Sequence, residues 1–272
     1  MTKPPMNRLL VTGAAGGLCR ALRPRLAPLA RTLRLADIAP IGDPAPHEEI
    51  VTCDLADAAA VSRMVEGCDG ILHLGGISVE APFGPILQAN ILGLYNLYEA
   101  ARRHGQPRIL LASSNHAVGF WKLTDRLGPD VPLRPDSLYG VSKAFGEALA
   151  RMYFDKFGQE TALVRIGSAT VEPENYRMLS TWLSHDDLVS LIAAVFRVER
   201  LGCPVIWGTS ANSAGWWDNS HLDWLGWTPR DNAETHRARI EATVPRPAAD
   251  AAASVFQGGA FTELPIYPEQ EA

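Results

Sequence analysis

The stretch Val11-Thr-Gly-Ala-Ala-Gly-Gly-Leu-Cys19 joins a short apolar run to a segment with helical spacing. In a strand-turn-helix unit, Gly13 allows the tight turn and Gly16 allows the backbone to approach a phosphate closely. The free N–H groups and the positive end of the helix favour a pyrophosphate. Many glycine-rich turns are only turns, but this one opens an alternating pattern, which favours a dinucleotide site.

Strand and helix patterns alternate from this turn onward. Short apolar strands without polar alternation are typical of a parallel sheet that is covered on both faces. We therefore predict an α/β fold of the Rossmann type, a doubly wound parallel sheet with a small C-terminal substrate lobe. The predicted strands are 8–12, 32–35, 50–52, 71–74, 109–113 and 162–166, and the predicted helices are 17–30, 57–65, 86–104 and 138–157.

The pattern changes after Gly167. Residues 1–167 are expected to form mainly the dinucleotide-binding core, and residues 168–272 a small substrate-binding lobe with a tail, all within one integrated domain. The lobe is predicted to contain a helix at 185–197 and a strand at 204–208. The tail, which is rich in Ala and Pro from about Pro245, is expected to be an arm outside the core. Trp216 and Trp217 are expected to be core residues rather than a sugar platform.

Composition excludes several classes of protein. The 272 residues are 47% hydrophobic and 20% charged, which is typical of a globular protein and argues against disorder. A net charge of -5 without a basic stripe argues against a nucleic-acid partner. Because no apolar run is long enough for a membrane span and no signal-peptide core follows Met1, we expect a cytoplasmic protein without a membrane partner. The scattered cysteines predict buried thiols and no metal site; they are Cys19, Cys53, Cys68 and Cys203.

An acidic residue follows the second predicted strand. Asp37 stands where a carboxylate would accept hydrogen bonds from the adenosine ribose and repel a 2′-phosphate, which favours NAD over NADP. The alternative is that Asp37 only caps a turn. The flanking Ile38-Ala-Pro40 contains no arginine that could bind a phosphate.

A second group of residues predicts acid-base chemistry. In Tyr139-Gly-Val-Ser-Lys143 the phenol and the ammonium are four residues apart, on one face of a predicted helix. A nearby ammonium favours the phenolate, so the pKa of Tyr139 is expected to move toward the working pH and the phenol to act as a general base. Such a pair is usually a solvated face, but Ser114, at the end of the fifth strand, can point at the same substrate oxygen.

Taken together, the turn, Asp37 and the Ser, Tyr and Lys pattern resemble the short-chain dehydrogenase/reductase superfamily, in its extended, sugar-modifying branch. Within that branch the chain resembles the uronate dehydrogenases. Four stretches carry this resemblance, namely 73–80 (HLGGISVE), 113–116 (SSNH), 176–187 (YRMLSTWLSHDD) and 215–219 (GWWDN).

The resemblance implies NAD as the cofactor, with Tyr139, Lys143 and Ser114 as the catalytic residues. It also implies contacts from the ends of the strands to NAD: Gly13, Ala15, Gly16, Gly17, Leu18, Asp37, Asp54, Leu55, Leu74, Gly75, Gly76, Asn90, Tyr139, Lys143 and Ile166.

A uronic acid has a C1 hydroxyl to oxidise and a carboxylate at its far end, so a cation is needed across the pocket from the general base. Arg177 has a planar fork that can bind a carboxylate bidentately, although it could be a surface arginine. The loop serines could instead be caps and His116 a packed side chain. The substrate contacts implied are Ser78, Ser114, Asn115, His116, Tyr139, Ser168 and Arg177.

The implied reaction oxidises C1 of galacturonate or glucuronate to an aldarolactone. A nucleotide-sugar epimerase or reductase of the same superfamily, and a non-catalytic NAD-sensing binding protein, are the alternatives. Cys19 stands where the family has the third glycine, so NAD binding or stability is expected to be weaker. By analogy with related dehydrogenases, a homo-oligomer is expected.

Overall fold

A seven-stranded parallel sheet with the order β3-β2-β1-β4-β5-β6-β7 forms the centre of the computed structural model, which describes residues 6–268. The order changes direction beside β1, and ligands of such sheets bind in the crevice at that point. The predicted Rossmann-type fold is confirmed. The strands are β1 (Met6–Thr12), β2 (Ala30–Asp37), β3 (Glu48–Thr52), β4 (Gly70–His73), β5 (Arg108–Ser114), β6 (Thr161–Ile166) and β7 (Val205–Gly208).

Helices cover both faces of this sheet. Two of them, the helices predicted at 138–157 and 185–197, have the predicted bounds. The helices are α1 (Gly17–Leu26), α2 (Ala58–Val65), α3 (Phe83–Ile86), α4 (Gly93–Arg103), α5 (Leu138–Phe157), α6 (Met178–Thr181), α7 (His185–Arg197), α8 (Arg237–Thr243) and α9 (Ala252–Val255).

Two predicted helices differ from the structure. The first was expected to reach residue 30, but α1 ends at Leu26 and a 3₁₀ turn follows at Ala27–Leu29. Pro28 in that turn has no N–H to continue the α-helical hydrogen bonds. The helix predicted at 86–104 is interrupted by a π-helical segment, Leu87–Leu92, between α3 and α4. Such segments are frequent at functional sites, and hydrophobic spacing does not reveal them.

The core has two layers because neighbouring residues of a strand point to opposite faces of the sheet. On β1, Leu9 and Val11 pack with α1 and α7, whereas Leu10 packs on the other face with α2, α4 and α5. All four cysteines are free and buried, as predicted. Strand β7, which comes from the predicted lobe, pairs with β6 in the central sheet.

Part of the predicted arm packs on the rest of the molecule, contrary to the prediction. Residues 255–258 run alongside residues 119–123, and Gln257 has no exposed surface. Composition missed this packing because it depends on contacts with residues more than a hundred positions away.

No helix within residues 6–268 has the length and apolar character needed to cross a membrane. Residues 1–5, where the sequence was expected to lack a signal-peptide core, lie outside the described residues.

Candidate active site

The glycine turn connects β1 to α1 at the carboxyl edge of the sheet. Gly13 has a φ of 73°, and a Cβ atom there would lie 2.7 Å from the backbone of Leu74 and Gly75. Only glycine fits such a close approach without displacing the β4 loop. A Cβ atom on Gly17, the first residue of α1, would meet nothing within 4 Å, so the N-terminus of this helix is open to a ligand, as a pyrophosphate site requires.

Asp37 closes this end of the crevice. Its Oδ2 accepts a hydrogen bond from the Ala15 N–H at 2.9 Å, and its Oδ1 accepts one from the Ala39 N–H at 2.9 Å. The carboxylate thus caps the turn, which was the alternative to a role in cofactor binding. Together with Ile38 it also lines a large cavity that begins at this turn. Both roles are compatible, because a carboxylate oxygen can accept more than one hydrogen bond.

A cavity of about 840 Å³ extends from this turn past the ends of β4, β5 and β6. This volume lies within the range of small-molecule and cofactor sites. Seventeen of the predicted site residues line it: Gly13, Gly16, Gly17, Leu18, Asp37, Asp54, Leu55, Leu74, Gly75, Gly76, Ser78, Ser114, His116, Tyr139, Lys143, Ile166 and Ser168.

Four predicted site residues do not line this cavity. Ala15 contributes only its backbone N–H to Asp37. Asn90 lies in the π-helical segment, where its amide binds the backbone of Ile77 and the Ser142 hydroxyl. Asn115 and Arg177 are not lining residues either, although their neighbours in sequence, His116 and Met178, line the cavity.

The position of Tyr139 is set by the N-terminus of α5. Ser137 accepts a hydrogen bond from the Gly140 N–H at 2.9 Å, and the Glu80 carboxylate accepts one from the Tyr139 N–H at 2.8 Å. A Cβ atom on Gly140 would lie 2.4 Å from the His116 carbonyl, so the glycine lets α5 approach the β5 end. The cap and this close contact together hold the phenol in the cavity.

The electrostatics of the Tyr139 and Lys143 pair differ from the prediction. Burial raises the pKa of Tyr139 to about 12, partly offset by hydrogen bonding with Ser114. Burial also lowers the pKa of Lys143 to about 8. The Lys143 ammonium donates to the Ala112 carbonyl at 2.8 Å and lies 5.5 Å from the Tyr139 ring centre. In this structure the ammonium therefore does not shift the pKa of Tyr139 toward neutrality, because desolvation is the larger effect.

A small second cavity lies beneath this pair, between Lys143, Asn90 and His73. Burial and the nearby Lys143 charge lower the pKa of His73 to about 3, so its imidazole is neutral. The His73 Nδ1 lies 2.7 Å from the Thr12 hydroxyl. A neutral side chain here avoids placing a second cation beside the ammonium.

The end of β5 carries the polar groups nearest to Tyr139. The Ser114 hydroxyl accepts a hydrogen bond from the His116 N–H at 3.2 Å, which starts a 3₁₀ turn at Asn115–Val118. His116 binds Asp136 through Nδ1 at 2.8 Å and stacks on the Phe261 ring at 3.8 Å between centres. His116 is thus fixed on two sides, and both it and Phe261 line the cavity.

Arg177, at the start of α6, is half-buried beside this wall. Its Nε donates to the Gln257 carbonyl at 2.8 Å. With the Asn115 amide oxygen facing Arg177, Oδ1 accepts from Nη2 at 2.6 Å and Nδ2 donates to the Ile166 carbonyl at 3.1 Å. Desolvation lowers the pKa of Arg177 to about 10, so the guanidinium remains charged at neutral pH.

The two loop serines differ in their surroundings. Ser168 lies 2.9 Å from the Thr181 hydroxyl, hydroxyl to hydroxyl, at the end of β6. Ser78 is exposed on the loop that follows β4. Both serines line the cavity.

Cys19 occupies the third glycine position without disturbing the turn. Its side chain is 1% exposed and packs in the core with Leu9, Leu22 and Leu26. The thiol fills the contact between α1 and the sheet, and burial raises its pKa to about 11.

Sequence reasoning missed three residues of this site. Glu80 accepts hydrogen bonds from the first N–H groups of α5, which begins 58 residues further along the chain, so no local sequence signal could have revealed this role. Phe261 and Gln257 were placed in the tail. Their only sequence signal was the pair of apolar residues, Phe256 and Phe261, in an otherwise Ala- and Pro-rich segment.

Comparison with known proteins agrees with this site. The chain belongs to the NAD dependent epimerase/dehydratase family, whose model matches residues 9–185. The predictions of an NAD-dependent oxidoreductase and of NAD as the cofactor are confirmed.

Within that family the similarity to the uronate dehydrogenases, predicted from the sequence, is also confirmed. The uronate dehydrogenase of Agrobacterium fabrum is 69% identical over 97% of this chain and 100% of its own. A mutant of the Agrobacterium tumefaciens uronate dehydrogenase complexed with NAD has a TM-score of 0.96 at 69% identity, covering 97% of this chain and 99% of that one. The glucuronic acid dehydrogenase of Chromohalobacter salexigens has a TM-score of 0.94 at 53% identity, covering 96% and 98%.

Proposed function

We propose that this protein is a uronate dehydrogenase that oxidises C1 of free galacturonate or glucuronate to the aldarolactone. The observation that carries the substrate assignment is Arg177. Among residues 6–268 no carboxylate forms an ion pair with this guanidinium, although desolvation already lowers its pKa to about 10. A partly desolvated cation without a paired anion favours a ligand that brings one.

The arrangement around Arg177 fits a carboxylate. Within the protein, the Arg177 guanidinium donates from Nε and through one N–H of Nη2. Its other N–H groups are left for the two oxygens of a carboxylate. Asp136, the nearest acidic residue, is bound by His116 and Ser137 instead. The relatives named uronate dehydrogenase and glucuronic acid dehydrogenase support the same substrate class.

The cofactor end fits NAD by its own geometry. The turn at Gly13, the start of α1 and Asp37 would hold the pyrophosphate and the adenosine ribose, and Lys143 the nicotinamide ribose. When bound, NAD⁺ supplies the acceptor for the hydride from C1, and becomes NADH.

The protein's residues handle the proton and the orientation. Tyr139, as phenolate, takes the proton of the C1 hydroxyl while Ser114 donates a hydrogen bond to the same oxygen. Because C1 is the hemiacetal carbon, losing this proton and a hydride converts it to the lactone carbonyl. The Lys143 ammonium, 5.5 Å from the Tyr139 ring centre, is the charge that favours the phenolate against the desolvation of Tyr139.

The decisive test is NADH formation with galacturonate and glucuronate against galactose and glucose. We expect the uronates to be preferred by at least about a hundredfold in kcat/KM, and Arg177→Met to remove most of that preference, because a buried charge-assisted pair contributes about 2–5 kcal/mol.

Arg151→Met is the matched control, since the Arg151 guanidinium bonds the Cys203 carbonyl outside the cavity. Equal rates on neutral sugars would reject the uronate assignment. Turnover of a nucleotide sugar but not of free uronates would favour the epimerase or reductase alternative. NAD binding without turnover of any sugar would favour the non-catalytic sensing protein.

We also propose that two copies of the chain associate through α4 and α5. These helices expose several large apolar side chains that a second copy of the chain would cover; they include Tyr95, Val141, Met152 and Phe157. Sedimentation should show a dimer or a larger assembly that Val141→Glu weakens. A monomer at micromolar concentration would contradict this proposal.

A cytoplasmic location is the last part of the proposed function. The four free, buried cysteines suit a reducing compartment, and the NAD dependence suits the interior of a cell. Fractionation of the native cells should recover the protein with cytoplasmic markers, and recovery with the membrane or the medium would overturn the assignment.

A further inference from the structure

The C-terminal segment 255–261 lies beside the substrate end of the cavity, which its residue Phe261 lines. It runs antiparallel to residues 119–123, with hydrogen bonds from the Leu123 N–H to the Val255 carbonyl at 3.0 Å and from the Gln257 N–H to the Trp121 carbonyl at 2.8 Å. The Gly258 N–H also donates to the Gly119 carbonyl at 2.8 Å. This segment therefore has a backbone register that fixes where Gln257 lies.

The side chain of Gln257 is completely buried, and all of its polar groups are bonded. Its Oε1 accepts a hydrogen bond from Trp217 Nε1 at 2.8 Å. Its Nε2 donates to the Lys122 carbonyl at 3.0 Å and to the Asp125 carbonyl at 2.8 Å. A buried amide with an acceptor and both donors satisfied has a single orientation, since any rotation would leave polar atoms unpaired.

The main chain of the same residue holds Arg177. The Gln257 carbonyl accepts the Nε–H of Arg177 at 2.8 Å, and Asn115 accepts from Nη2 on the other side of the guanidinium. Two anchors on one planar group set both its plane and its rotation. Since the Gln257 amide fixes the residue, it also fixes the carbonyl that orients the arginine.

We propose that Gln257 is a positioning residue that, through its own carbonyl, aims the Arg177 guanidinium at the substrate carboxylate. This inference rests on the proposed uronate specificity. The buried amide of Gln257 then does more than fill space. A nonpolar side chain of equal size would support the tail but would not hold the Gln257 carbonyl in one orientation.

The test is the variant Gln257→Met, which keeps the length of the side chain and removes its three hydrogen bonds. We expect KM for galacturonate and glucuronate to rise about tenfold with kcat within about twofold, since uniform binding of the carboxylate is lost in the ground state and the transition state alike. The dissociation constant of NAD should stay unchanged, because the cofactor end is not touched.

Gln159→Met is the matched control. Gln159 is equally buried, and its amide donates to the Pro107 carbonyl at 2.8 Å, away from the cavity. We expect this control to leave KM for uronates unchanged, whatever its effect on the melting temperature. A purely structural role of Gln257 would give an unchanged KM in Gln257→Met as well, and would overturn the proposal.

A milder variant covers the case in which Gln257→Met does not fold. Trp217→Phe removes the donor to Oε1 together with part of the indole volume, and keeps an aromatic ring to stack on Trp207. We expect KM for uronates to rise about threefold, and an unchanged KM would again overturn the proposal. Failure of the proposed function is distinguishable, since the wild-type protein would then fail to prefer uronates over galactose and glucose.

Discussion

The two ends of the cavity are built in different ways. At the cofactor end, Gly13, Gly16, Gly17 and Leu18 line the cavity along one short turn, and Asp37 is the charged residue that β2 contributes to the lining. At the substrate end, side chains arrive from the end of β5, the start of α6 and the C-terminal segment 255–261. The first end is local and made largely of main chain, whereas the second is assembled from distant parts of the chain.

This difference shows which changes each end tolerates. A backbone site needs small residues and a left-handed turn, so most side-chain changes around it leave its N–H groups in place. A site of charged side chains depends on each partner that orients them, such as Gln257 and Asn115 on Arg177. Substrate specificity is therefore expected to be more sensitive to distant substitutions than cofactor binding.

Tyr139 lies between the two ends, and its removal should separate them most clearly. In Tyr139→Phe we expect turnover of uronates to fall about 10²–10⁴-fold, because the general base is lost. NAD affinity should stay within about twofold, which titration calorimetry can measure. Tyr98→Phe, which deletes another fully buried phenol outside the cavity, should retain full activity. Wild-type turnover by Tyr139→Phe would remove the phenol from the proposed chemistry.

Asp37 tests the cofactor end alone. Asp37→Ala removes the acceptor for the ribose and the bond to the Ala15 N–H, so we expect NAD affinity to fall about tenfold and NADP to be less disfavoured. KM for uronates at saturating NAD should not change. A rise in that KM, measured by initial rates, would show that the two ends are not independent.

Lys143 gives the smallest effect, which appears as a pH dependence of stability. The pKa of Lys143 in the folded protein is about 8, below its ordinary value of 10.5. Between these two values the unfolded chain therefore binds more protons than the folded chain. The contribution of Lys143 to the free energy of unfolding thus rises with pH. In Lys143→Met that contribution is absent. From pH 8 to 10 the melting temperature of the wild type should therefore rise by several degrees relative to the variant.

Other groups do not affect that comparison. The raised pKa of Tyr139 and of the buried thiols lowers stability at high pH in both proteins, so it cancels in the difference. A constant difference between the two melting temperatures from pH 8 to 10 would mean that Lys143 is not desolvated in the folded state.

Much of this site could be predicted from the sequence where the determinants are local. The turn at Gly13, the bounds of α5 and the pairing of Tyr139 with Lys143 follow from short-range spacing and capping. The π-helical segment could not be predicted, because apolar spacing does not distinguish it from a continuous α-helix. The pKa values were also beyond the sequence, since desolvation depends on what surrounds each group, and for Tyr139 it outweighed the effect expected from Lys143.

By itself the sequence determined the parallel sheet, the dinucleotide turn and the acid-base residues on α5, because these depend on periodicities and motifs spanning a few residues. Only the tertiary structure decided that the C-terminal segment closes the substrate end, with Phe261 on His116 and Gln257 on Arg177. These contacts join residues that are far apart in the chain, and their free energy comes from mutual burial, which no single segment contains.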